Sequence, residues 1–166
     1  MKAKKCILLF YFLAHAIASQ SQTQNATPDT NFIFKSIKAN EKEFKLNKSE
    51  FLKTLKITDD SAERYHFSKA KKEITLIETT TRLNSSKTEL ISFWYLNNQI
   101  FKIIIIDYLN GKDNKKIHGF YFYSNDLLIY KEEKNILRSD LPDLLSQSKS
   151  YLAKGQEILK KISRNL

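Results

Sequence analysis

Residues 89–109 read ELISFWYL-NN-QIFKIIIIDYL. Two apolar, β-branched and aromatic runs flank Asn97-Asn98, a pair that tolerates positive φ and so suits a tight hairpin. The pattern extends in both directions. Upstream, KEITLIETTTRL ends at the turn Asn84-Ser85-Ser86-Lys87. Downstream, Asn110-Gly111 opens a loop, KIHGFYFY runs to Asn125-Asp126, and LLIYK returns. Apolar segments at this spacing, separated by Asn-containing turns, predict an antiparallel meander of four to five strands. The hairpins WYL-NN-QIFKI and FYFY-SND-LLIY are alike. Duplication and shared composition explain that equally well, and two units do not make a repeat protein.

The meander is flanked by helical patterns. After it, Ser139-Asp140-Leu141-Pro142-Asp143 has the cap, early proline and first-turn acid of a helix start. Leu141, Leu145, Ser148, Leu152, Gly155, Leu159 and Ile162 then follow at spacings of three or four, an amphipathic stripe. Ser148 and Gly155 are small, so this helix can lie close to a sheet, and Lys160 and Lys161 complement its dipole. Before the meander, residues 32–56 place Ile33, Ile37, Phe44, Phe51 and Leu55 along a helical face with gaps. The competing reading is a strand at FIFKSI, a turn at KANEK and a short helix capped by Ser49. Thr58-Asp59-Asp60-Ser61 ends the segment. The expected fold is α+β: an N-terminal helical segment, the meander, and a C-terminal amphipathic helix packed on one face.

The chain opens MKAKK, followed by the apolar run CILLFYFLAHAIA. As a helix those 13 residues rise about 20 Å, short of a bilayer core of about 30 Å. Ala16-Ile17-Ala18 supplies small residues at −3 and −1 of a cut. Together these predict a cleavable export signal over residues 1–18, a flexible polar leader over 19–31 and a single domain over 32–166, placed in the periplasm or outside the cell. Cys6 opens the apolar run rather than following it, so it is not placed as a lipid acceptor. The next densest apolar run, KIIII at 102–106, is strand-sized, so no transmembrane segment is expected in the mature chain.

The formal charge is +10, from 28 basic and 18 acidic residues. Cleavage after Ala18 removes Lys2, Lys4 and Lys5 and leaves 25 basic against 18 acidic, or +7. Lysines are dispersed among glutamates, as in KANEKEFKLNKSE, which argues against nucleic-acid binding. Cys6 is the only cysteine and leaves with the signal, so the mature fold depends on its apolar core rather than on disulfides.

The hairpin FYFYSNDLLIYKEE resembles the YYF-x-N-G/D-x-L-I hairpin of small exported proteins of Bacteroidetes, and WYLNNQIFKII resembles the strand pair that precedes it there. SIKANEKEF and the closing helix are similar too. The resemblance spans about residues 32–132. Asp126 stands where glycine is common, and a second YYF hairpin is missing. The group carries no assigned activity or functional residues, so the resemblance implies export and fold only. Asp60-Ser61-Ala62 resembles the O-glycosylation acceptor of that phylum.

No residue set predicts catalysis, a metal or a cofactor. His66 and His118 share no ligand spacing. Gly111, Gly119 and Gly155 flank no serine in the G-x-S-x-G manner and form no phosphate loop. Asp59-Asp60 and Glu132-Glu133 fall in turns or strand ends, where solvated charge is the ordinary state. The aromatics are more suggestive. Strand alternation puts Trp94 opposite Phe93 and Tyr95, and Phe120 and Phe122 opposite Tyr121 and Tyr123. One row must face away from the C-terminal helix. The sequence therefore nominates Trp94, Tyr95, Tyr121 and Tyr123 as possible partner-binding residues. The competing readings are that the N-terminal helix covers that face, or that tyrosines cover it with their hydroxyls in water. The expected function is non-catalytic binding of a protein partner or envelope glycan through the sheet. A periplasmic inhibitor or immunity protein and an unrecognised hydrolase are the alternatives.

Overall fold

The structure is a computed structural model that describes residues 30–47, 49–109, 114–134 and 143–163. The export segment, the leader up to residue 29, the loop at Asn110-Gly111 and the helix start at residues 139–142 lie outside the described residues.

Helix α1 (Thr30–Leu46) leads into seven strands: β1 (Ser49–Lys56), β2 (Ser61–Ser68), β3 (Glu73–Asn84), β4 (Lys87–Leu96), β5 (Gln99–Leu109), β6 (Lys115–Ser124) and β7 (Leu127–Glu133). Helix α2 (Leu144–Ser163) closes the described chain. Strand order in the sheet follows the chain and every pairing is antiparallel, so the sheet is one continuous meander. The α+β class and both helices agree with the sequence. The strand count does not, because the sheet has seven strands rather than four to five. The five expected strands are β3–β7, and β1 and β2 are additional.

The miss at β1 has a physical cause. A bulge between Phe51 and Lys53 shifts the register, so Leu52 and Leu55 pack against the same core three residues apart. That spacing mimics a helix. Residues 49–56 are therefore an edge strand, and the short helix capped by Ser49 is not formed. Bulge, Lys53 and Lys56 together make β1 a poor template for further pairing. The alternative strand at FIFKSI is also overturned, since those residues lie in α1.

The hairpin turns follow the asparagines. Asn97 and Asn98 have φ of 52° and 60°, and Asn125 and Asp126 have 49° and 63°, as a two-residue turn matched to strand twist requires. Both helices lie towards this end of the sheet, on opposite faces. Lys71, in the β2–β3 turn, reaches Glu43 of α1 and Asn97. Gln156 of α2 reaches Asn98, and Lys149 reaches Asp126.

The main core lies under α2. Tyr65, Ile77, Phe93, Tyr95, Ile103, Ile105, Tyr121 and Tyr123 meet Leu144 and Leu159, with Leu145, Tyr151, Leu152 and Ile158 packed alongside. Each buried side chain of this size contributes about 1.5–3 kcal/mol of transfer free energy. The α2 stripe thus faces the strands as its spacing predicts. Its start is held by Asp143, whose Oδ1 accepts the Leu145 N–H at 3.1 Å. Gly155 permits the close approach: a Cβ there would sit 3.0 Å from Tyr65 Cδ1 and 3.1 Å from Ile74 Cγ1.

Candidate functional site

The four nominated aromatics do not form one surface. Tyr95, Tyr121 and Tyr123 are buried in the α2-side core, at 1%, 4% and 7% exposure. Tyr95 Oη donates to the Ser148 carbonyl at 2.7 Å, and Tyr121 Oη donates to Glu133 Oε1 at 3.0 Å. Burial foremost raises both phenols above their ordinary range, and Glu133 adds to the rise at Tyr121. They are core residues under α2. Trp94 is on the other face, beneath α1, where its ring meets Phe44 at 4.7 Å. The N-terminal helix therefore covers part of that face, which is one of the readings that competed with an open platform.

That cover leaves a cleft of about 490 Å³ between α1, the start of β1 and strands β4 and β5. Trp94, Phe44 and Phe101 are its aromatic walls, and Glu41, Lys45, Ser49 and Lys102 are its polar lining. The sheet builds it with a bulge. Trp94 pairs with Lys102 but Tyr95 pairs with Ile100, so Phe101 is the extra residue. Ile100 and Ile103 belong to the α2-side core, while Phe101 and Lys102, consecutive in the chain, both meet groups of the α1 face. Phe101 packs on Phe44, ring centroids 5.7 Å apart.

Lys102 is the central charge. Its ammonium lies 5.5 Å from the Trp94 ring centre, 6.0 Å from Phe120 and 5.3 Å from Phe122. Each ring face is negative and attracts the cation. Glu41 Oε1 accepts a hydrogen bond from it at 2.5 Å. The Trp94 indole N–H is buried and has no hydrogen-bond partner. Such a donor ordinarily costs about 1–3 kcal/mol. Ser49 Oγ is engaged with Thr75 Oγ1 at 2.8 Å.

Sequence reading missed Glu41, Lys102 and the cleft, although both charges leave a trace. Phe34, Ile37, Glu41 and Phe44 are spaced three, four and three along α1, so a carboxylate occupies one position of an otherwise apolar stripe. Lys102 interrupts the run from Ile100 to Ile106. A charge at a core-facing position needs a partner, and here each is the partner of the other.

The two histidines sit apart from this cleft. His66 Nε2 is 3.3 Å from Glu78 Oε2, and its hydrogen bond is the main reason the Glu78 carboxyl lies below its ordinary range. His118 is the extra residue of a bulge in β6. Its Nε2 comes within 2.7 Å of Asp107 Oδ2 without meeting hydrogen-bond geometry. Lys87 Nζ approaches the same oxygen at 2.5 Å, which compensates a carboxylate that is 5% exposed. His118 Nδ1 faces the Lys134 carbonyl at 3.2 Å. Among the described residues neither ring is hydrogen-bonded to a hydroxyl, and no group of three or more His, Cys, Asp or Glu is placed to hold a metal ion. No described helix is long and apolar enough to cross a membrane. No family model, curated protein or solved structure matches the chain.

Proposed function

We propose that the protein is an exported, non-catalytic binding domain whose ligand, a partner group or envelope component, enters the cleft beside Trp94. The observation that carries this reading is the combination of aromatic walls and a caged lysine in one recess of about 490 Å³. Volumes of about 300–1,000 Å³, mostly apolar with a few placed polar groups, are usual for small-ligand sites. Export is supported by the charged start, short apolar run and Ala16-Ile17-Ala18 end of residues 1–18. A mature protein beginning at Ser19 in the periplasm or medium is the expected product.

Trp94 is the only tryptophan, so its emission reports on the cleft without a label. Fractionated envelope components should include one that shifts this emission saturably, with the shift reduced in Phe44→Ala. A component that binds by calorimetry and leaves Trp94 emission unchanged would place the binding surface elsewhere.

A further inference from the structure

Taking the cleft as the binding site, we infer that its ligand is an organic anion, a carboxylate or similar acid group carried on an apolar or aromatic body. The charges lining the cleft are Glu41, Lys45 and Lys102. The carboxylate is taken, because Glu41 is held by Lys102. Lys45, exposed in the last turn of α1, has no ion pair among the described residues. The uncompensated charge at the cleft is therefore positive. The free hydrogen-bonding capacity points the same way. The Lys45 ammonium brings three donors, while Oε1 of the Glu41 carboxylate is engaged by Lys102.

Other ligand classes fit less well. A cation would meet two ammonium groups and a carboxylate already neutralised. A purely apolar ligand would leave the Lys45 charge without a partner. A neutral sugar presents donors as well as acceptors, and its donors would compete with Lys102 for Glu41. An anion with an apolar body satisfies both halves of the cleft: its acid group meets the Lys45 ammonium, and its body lies against Phe44, Phe101 and Trp94.

The test compares two dyes of similar shape and different charge, 1-anilinonaphthalene-8-sulfonate and the neutral N-phenyl-1-naphthylamine, by energy transfer from Trp94. The sulfonate should bind one to one and quench Trp94, more tightly than the neutral dye. Its affinity should fall with added salt and by about twofold to fivefold in Lys45→Gln, the range expected for one exposed charge. An unbranched medium-chain carboxylate should displace it. Lys45 is exposed, so its replacement leaves the fold intact. Equal binding of both dyes, unaffected by Lys45→Gln, would overturn the anion preference and leave the cleft as a site. Failure of both dyes to quench Trp94 would instead remove the cleft itself.

Discussion

Glu41 Oε1 and Lys102 Nζ, 61 residues apart in the chain, meet at 2.5 Å across the contact between α1 and β5. Beside the pair, Phe44 of α1 packs on Trp94 of β4 and on Phe101 of β5.

The two partners of that pair should respond unequally. Lys102 is 14% exposed and Glu41 is 38% exposed. Glu41→Gln strands an ammonium among three rings, so it should cost about 2 kcal/mol. Lys102→Met leaves a carboxylate that can turn to water and puts a flexible apolar chain among the rings, so it should change stability by less than about 1 kcal/mol. Urea unfolding of both variants checks this. Equal losses would mean that the ammonium is hydrated and not caged.

Gly155→Ala should destabilise despite the better helix propensity of alanine. The propensity gain is about 1 kcal/mol. Against it, the new methyl would press on Tyr65 and Ile74, which are 0% and 1% exposed and cannot yield. Overpacking of this kind costs about 1–3 kcal/mol. A net loss of about 1 kcal/mol corresponds to a Tm lower by about 2–4 °C for a chain of this size. A rise in Tm by calorimetry would show that α2 can lift from the sheet.

Glu78 should contribute to acid unfolding. The hydrogen bond from His66 lowers its pKa, a shift that burial opposes and the charges of His66 and Arg64 assist. Glu78 therefore binds a proton less readily folded than unfolded. Its stabilising effect is present above about pH 4.5 and is lost as the pH falls below it. Glu78→Gln should flatten the fall in stability below that pH and leave the slope nearer neutrality unchanged. An identical acid limb in wild type and variant would remove this assignment.

At the alkaline limit the phenols act in the opposite sense. Tyr65, Tyr95, Tyr121, Tyr123 and Tyr151 are all raised, foremost by burial. The folded state favours their neutral forms, so they add stability below about pH 10 and withdraw it as the pH climbs further. Absorbance of tyrosinate near 295 nm should show these groups ionising together with loss of near-UV dichroism. Full ionisation with the dichroism intact would mean that the α2-side core admits water.

Much of the architecture was legible because it is local. Asn97-Asn98 and Asn125-Asp126 favour positive φ whatever surrounds them, and the runs on either side are strand-like by composition. The stripe through Leu145, Leu152 and Leu159 requires one face of α2 to be covered. β1 was illegible because Phe51 and Leu55, four apart, read as a helical face, whereas Phe51 is 59% exposed and the bulge places Leu52 with Leu55 against the core. β2 carries Glu63, Arg64 and His66 within eight residues and resembles a solvated loop. Its buried Glu63 is tolerated only because Tyr65 Oη and Lys154 Nζ each donate to it at 2.6 Å.

By itself the sequence determined that Trp94 and Tyr95 point to opposite sides of a strand, since alternation is a property of the extended backbone. It also determined that a meander with a covering helix would form. Only the tertiary structure decided which side lies under α2 and which under α1, and so made Tyr95, Tyr121 and Tyr123 core while leaving Trp94 in a cleft. It alone brought Glu41 to Lys102. The reason is range: turn preference and alternation act between neighbours, whereas the packing of a helix onto a distant strand depends on side chains that share no local signal.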